Sequence, residues 1–276
     1  MSKLKKILIK ARKQVFSEMV GNNASIFQGE GYDFIELREY MPGDDIRHID
    51  WNITAKMQKP YIKVFREERE LNVVLVSLMS GSLYFGSKVF KQDYLAEVVA
   101  NISFSVLKNG DLLSSYMLSN RALKHHKPSK QMAQVQKIVG DVLNFDPLNE
   151  KLDWDFIQSY LLERIKRRSL IIFMGDFFEL PKLKILAKKH EVVALIIRDK
   201  YEEVPPEIGF ASLVDPQTGA WLEGDFDKEA IQNYHKEIVA YDRELYQNLR
   251  QSQVRFDKLY TDKNPSVGLR KVFEGA

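Results

Sequence analysis

The sequence predicts an α/β fold: a mostly parallel sheet covered by helices on both faces, preceded by a small turn-rich N-terminal module. From Leu71 onward, short apolar runs such as Val73 to Leu78, Leu170 to Met174 and Val192 to Ile197 alternate with helix-period segments, the pattern of strands buried on both faces. Before that point, Gly29, Gly31, Pro42-Gly43 and Pro60 break residues 21 to 61 into short pieces that suit turns rather than long helices. At 276 residues the chain can bury a sizeable core, and 45% apolar with 29% charged residues is a balance typical of globular proteins.

Taken in order, Leu4, Ile7, Ala11, Val15 and Met19 recur at helical spacing among Lys and Arg, so residues 3 to 20 form a helix. Its stripe packs on its own domain in preference to lying on a membrane surface. Val73 to Leu78 is the first strand of the sheet, Lys88 to Leu107 a helix and Leu112 to Leu118 the next strand. Helices follow at Ser129 to Leu143 and Asp153 to Arg167, the second with Asp153 as N-cap. Leu170 to Met174 is a strand, Pro181 to His190 a helix and Val192 to Ile197 a strand. A hairpin turns around Asp215 to Gly219, a long helix runs from about Asp227 to Gln251, Val254 to Leu259 is the last strand, and a terminal helix begins near Pro265. The expected division is 1–70 for the N-terminal helix and module and 71–276 for the α/β domain.

Composition excludes several classes of function. Lys plus Arg number 41 against 38 Asp plus Glu, too slight an excess to argue for a polyanion partner, so nucleic acid is not expected. The absence of cysteine removes disulfides and thiolate metal sites, and the five histidines show no zinc-ligand spacing. The apolar run Ile7-Leu8-Ile9 is closed by Lys10, too short for a signal core, and the other apolar runs fall short of a membrane span. The chain therefore reads as cytoplasmic, with any membrane contact peripheral.

Candidate chemistry lies in two places. Sheets of this kind place ligands at the carboxyl ends of their strands. There, Ser80 and Ser82 follow the first strand and Asp176 follows Leu170 to Met174, so two hydroxyls and a carboxylate could meet a hard divalent cation, although Ser-Gly-Ser after a strand is also ordinary capping chemistry. The run from Gly29 to Glu70 is dense in charge: Arg38, Asp44, Asp45, Arg47, Asp50, Arg66 and Glu68 are interleaved with Tyr40, Trp51, Tyr61 and Phe65. The aromatics are expected to bury part of the run, and Arg38, Arg47 and Arg66 to pair with Asp44, Asp45, Asp50 or Glu68 as a structural network. The alternative is a metal-dependent hydrolase built on Asp44, Asp45 and Asp50 with His48 as base. His125-His126 lies in a Lys-rich connection and is expected to be solvated.

The segments Gly29-x-Gly31, Leu37-Arg38-Glu39-Tyr40, Pro42 to Arg47, Ile49-Asp50-Trp51, Thr54-Ala55 and Lys63 to Arg69 resemble the signature of a bacterial uncharacterised family. Its members have von Willebrand factor A-like (Rossmann-like) domains and are commonly encoded beside MoxR-type AAA+ ATPases. The resemblance continues through Ser169 to Phe177, His190 to Asp199, Pro205-Pro206 and Asp215 to Gly219 to the last strand. In that family the first strand ends in a D-x-S-x-S metal motif. Here Leu78 stands in place of its Asp, Ser80 and Ser82 match its serines, Asp176 matches the later carboxylate, and the threonine expected ahead of the Asp153 helix is missing. The resemblance thus implies a degenerate metal site with no cofactor beyond weak Mg2+. It also implies a non-enzymatic adaptor or assembly factor serving a MoxR-type ATPase and a client protein, with Ser80, Ser82 and Asp176 facing the partner.

Overall fold

The computed structural model describes residues 2–17, 34–65 and 70–274. It contains two compact units, one spanning 28–71 and the other combining 1–27 with 72–276. The N-terminal helix α1 (Lys3–Ser17) therefore belongs with the larger unit, where it packs on α3 (Lys91–Lys108) and α4 (Ala133–Asn144). Ala11 and Val15 are buried there, while Lys3 pairs with Asp93 and Lys10 with Glu97 at 2.5 and 2.6 Å. The apolar stripe of α1 is consumed by its own domain.

The smaller unit holds an antiparallel ribbon of β1 (Phe34–Glu39) and β2 (Tyr61–Phe65), joined through a 3-10 turn (Ile46–His48) and α2 (Trp51–Met57). Asp50 starts α2 by accepting from the Asn52 and Ile53 N–H groups, and Gln58 ends it in the left-handed region. The hydroxyl of Thr54 accepts from the Tyr61 N–H and ties helix to ribbon.

The larger unit is a six-stranded sheet whose strands are β3 (Asn72–Leu78), β4 (Leu112–Leu118), β5 (Ala122–Ser129), β6 (Leu170–Gly175), β7 (Glu191–Arg198) and β10 (Arg255–Tyr260). Their spatial order is β10-β7-β6-β3-β4-β5, parallel throughout except for β5. One face is covered by α5 (Trp154–Arg164), α6 (Lys184–Lys189) and α7 (Lys228–Gln251), whose Trp154, Ile157, Leu161, Leu186, Leu245 and Leu249 join Val74, Val76, Leu78, Phe173 and Ile196 in one apolar cluster. On the other face α3 packs against β3, β4 and β7, flanked by α1, α4 and α8 (Pro265–Glu274). A hairpin of β8 (Gly209–Val214) and β9 (Trp221–Phe226) precedes α7, and its turn is held by Asp215, which accepts from Gln217 N–H.

The mixed α/β architecture with helices on both faces is as expected, and Asp153 caps α5. The connection expected after β4 is instead the strand β5. Its histidines are correspondingly engaged: the His125 ring stacks on Tyr116 at 4.3 Å, and His126 lies 2.9 Å from the Asp141 carboxylate.

Candidate functional site

Parallel strands end together, so the segments leaving β3, β6 and β7 converge at the carboxyl edge of the sheet. Ser80 and Ser82 leave β3, and their hydroxyls lie 2.8 Å apart. Both donate to the same Asp176 oxygen just past β6, Ser80 at 3.1 Å and Ser82 more closely. From the first turn of α3 the Lys91 ammonium reaches that oxygen at 3.4 Å and Glu202, beyond β7, at 2.5 Å. Arg198, the last residue of β7, donates to the Asp176 carbonyl at 2.7 Å and to Asp242 of α7 at 3.3 Å. Phe178 covers these charges, with the Arg198 guanidinium 3.7 Å and the Lys91 ammonium 5.1 Å from its ring centroid. Phe177, between Asp176 and this lid, adopts a left-handed φ of 52°, and its carbonyl accepts from the Tyr241 hydroxyl.

Almost nothing here touches solvent. Ser80, Lys91 and Arg198 are wholly buried, and Asp176 is 1% exposed. Burial raises the Glu202 carboxyl above its ordinary range, against the pull of Lys91 and the Asp199 N–H. Burial also works against the ionised Asp199, yet hydrogen bonds from Thr261, Ser87 and Tyr201 outweigh it and hold that carboxyl low. Asp176 and its two serines therefore cannot face a partner as the resemblance implies, because they lie beneath the surface.

The donor set does not fit a divalent cation. Leu78, in the position of the missing carboxylate, points into the apolar cluster with Trp154, Phe173 and Phe177, and a Cβ on Gly175 would stand 2.8 Å from its own Cβ. Magnesium wants about six oxygens in an octahedron. Here one carboxylate oxygen already accepts from two hydroxyls and an ammonium. Among the described residues no group of three or more His, Asp or Glu is arranged to hold a metal.

In the smaller unit Asp44, Asp45 and Asp50 each have their own cation. Arg38 grips Asp44 through two parallel hydrogen bonds of 2.8 and 2.7 Å, and Arg47 grips Asp45 similarly. Lys63 lies 2.9 Å from Asp50. Arg38, then the Met41 N–H, hold the Asp44 carboxyl below the usual carboxylate range; Arg47 does the same for Asp45, and Lys63 followed by the helix amides for Asp50. These pairings leave no convergent acid cluster for His48 to serve. Trp51 departs from expectation: rather than burying the charged run it is 70% exposed. Arg66 and Glu68 lie outside the described residues.

Sequence reasoning singled out Ser80, Ser82 and Asp176 but missed Lys91, Arg198 and Glu202. A signal for the first two existed. Lys91 falls at helical spacing with Tyr94, Leu95 and Val98 on a buried face, and Arg198 extends the strand alternation of Ala194 and Ile196.

A family model described as "Protein of unknown function DUF58" matches residues 36–244. The chain is 24% identical over 269 residues to Uncharacterized protein Rv1480 of Mycobacterium tuberculosis, covering 95% of this chain and 84% of that one, and equally to Mb1516 of Mycobacterium bovis. Among solved structures, an aerotolerance-related membrane protein from Bacteroides fragilis aligns over 74% of this chain and 97% of its own, at 10% identity and a TM-score of 0.43. An uncharacterized membrane spanning protein from Vibrio fischeri aligns over 66% and 98%, at 11% identity and a TM-score of 0.24. Likenesses this weak add nothing to the fold described above. Both neighbours are described as membrane proteins, and the cytoplasmic reading is not kept for this chain. No helix among the described residues is long and apolar enough to cross a membrane.

Proposed function

The chain belongs to the DUF58 family, and on that premise we propose a non-enzymatic adaptor or assembly factor. It would be a von Willebrand factor A-like domain with a degenerate metal site, working with a MoxR-type AAA+ ATPase on a client protein. The observation that carries this reading is the surface of the smaller unit. Within residues 41–57, Trp51 is 70% exposed, and Met41, Ile46 and Met57 are each more than half exposed, on a scaffold whose turns are fixed by Arg38–Asp44 and Arg47–Asp45. Exposed large apolar groups on a braced frame suit recognition, and Trp is enriched among residues that dominate binding energy. A metal-dependent hydrolase would need Asp44, Asp45 and Asp50 to converge on one ion, whereas each is paired with a different cation.

The test is a binding measurement between the full-length chain and the MoxR-type ATPase of the same organism. Trp51→Ala is expected to weaken binding by roughly 30-fold or more, on the scale of an interface hot spot. Its melting temperature should not change, since the ring contributes little to a core. Undiminished binding by that variant, or no binding by the wild type, would overturn the reading.

A further inference from the structure

The misfit between the sheet-edge residues and a metal has a positive counterpart. We propose that the Lys91 ammonium is a tethered stand-in for a divalent cation, holding together the segments that leave β3, β6 and β7 without any metal. Lysine is almost never fully buried unless paired, and Lys91 has no exposed surface at all. Its ammonium meets two carboxylates from different segments, Asp176 at 3.4 Å and Glu202 at 2.5 Å. The hydroxyls of Ser80 and Ser82 complete the shell of the same Asp176 oxygen from the β3 side.

The tie reaches further through Glu202. Its second oxygen accepts from the Asp199 N–H at 2.9 Å, and the Asp199 side chain in turn accepts from Ser87 and Thr261. One lysine on α3 thus anchors segments from β3, β6, β7 and β10, the organising task a multivalent ion performs elsewhere. A divalent ion on Asp176 would also have to approach a fixed positive charge within a few ångströms, in surroundings where charges are poorly screened. The Phe178 ring, 5.1 Å from the ammonium, closes the site on one side and favours a cation already in place.

The experiment uses the full chain and the metals alone. Wild-type protein should show the same melting temperature in excess EDTA as in millimolar magnesium, manganese or calcium, with no heat of binding by calorimetry. Lys91→Met keeps the stem and removes the charge, leaving Asp176 and Glu202 buried and unpaired. Its melting temperature should fall by roughly 6–20 °C. The double variant Lys91→Met/Asp176→Asn should recover part of that loss, because one orphaned charge is gone. If the single variant does not fold, recovery of folded protein in the double variant carries the same information. A metal-dependent rise in wild-type melting temperature, a Lys91→Met protein as stable as wild type, or a double variant no better than the single would overturn the proposal.

Discussion

The smaller unit and the carboxyl edge of the sheet use the same chemistry, cations paired with carboxylates, at opposite ends of the burial scale. Arg47 and Asp45 meet with side chains 84% and 37% exposed, whereas Lys91 and Asp176 meet at 0% and 1%. The exposed pair works in water and under salt screening, so it steers a local turn more than it stabilises a fold. The buried set has given up its hydration and depends on each partner being present. Charge density along the sequence drew attention to the first region. The energetically committed charges, Lys91, Asp176, Arg198 and Glu202, come from separate segments of the chain and meet only in the fold, where density along the sequence gives no warning.

Three substitutions or conditions probe that contrast, beginning with the largest effect. Leu78→Asp would place a carboxylate in the apolar layer of Trp154, Phe173 and Phe177. Unfolding by urea should show a loss on the order of 4 kcal/mol or more, and magnesium should not restore it. A variant that magnesium stabilises would show that the edge can still be made into a metal site.

Intermediate in size is an acid effect centred on His190. Both its ring nitrogens are buried without a hydrogen-bond partner among the described residues, and burial, with Lys189 nearby, lowers its pKa below the ordinary 6.5. The unfolded chain then binds the proton more readily than the folded one. The stability this residue contributes is present above pH 6.5 and lost as pH falls through the folded value. His125 and His126 are shifted in the same direction, again chiefly by burial. Melting temperature followed from slightly alkaline to mildly acidic pH should fall, and His190→Leu should flatten part of that slope; an unchanged slope would assign it elsewhere. The smallest effect is Arg47→Ala, whose melting curve should overlay the wild type. A clear loss there would erase the distinction between the two regions.

Much of the sheet was legible because both-face burial writes itself into composition. Leu112 to Leu118 is bounded as expected, and the long helix begins one residue later than anticipated, with Asp227 as its cap. The strand β5 was not legible, since Ala-Leu-Lys-His-His-Lys-Pro-Ser has neither alternation nor an apolar run; it is held by the backbone ladder of β4 and by two ring and ion contacts. Ser80, Ser82 and Asp176 were found because they follow strands directly. Glu202 was not, since only the path of the chain after β7 brings it back to Lys91. Trp51 was misjudged because alternation with charges looks the same whether an aromatic closes over its neighbours or stands away from them.

The composition that hid β5 also protects the assembly. An edge strand offers unpaired backbone groups to any extended peptide, and such edges seed aggregation unless they are guarded. Here Pro128 removes an N–H, Lys124 and Lys127 bring charge, and the Gln134 side chain already donates to the Lys127 carbonyl at 3.0 Å. At the opposite margin α8 packs on β10. The β5 margin is thus guarded, and a visitor there must be recognised by side chains and loops rather than adopted as a seventh strand.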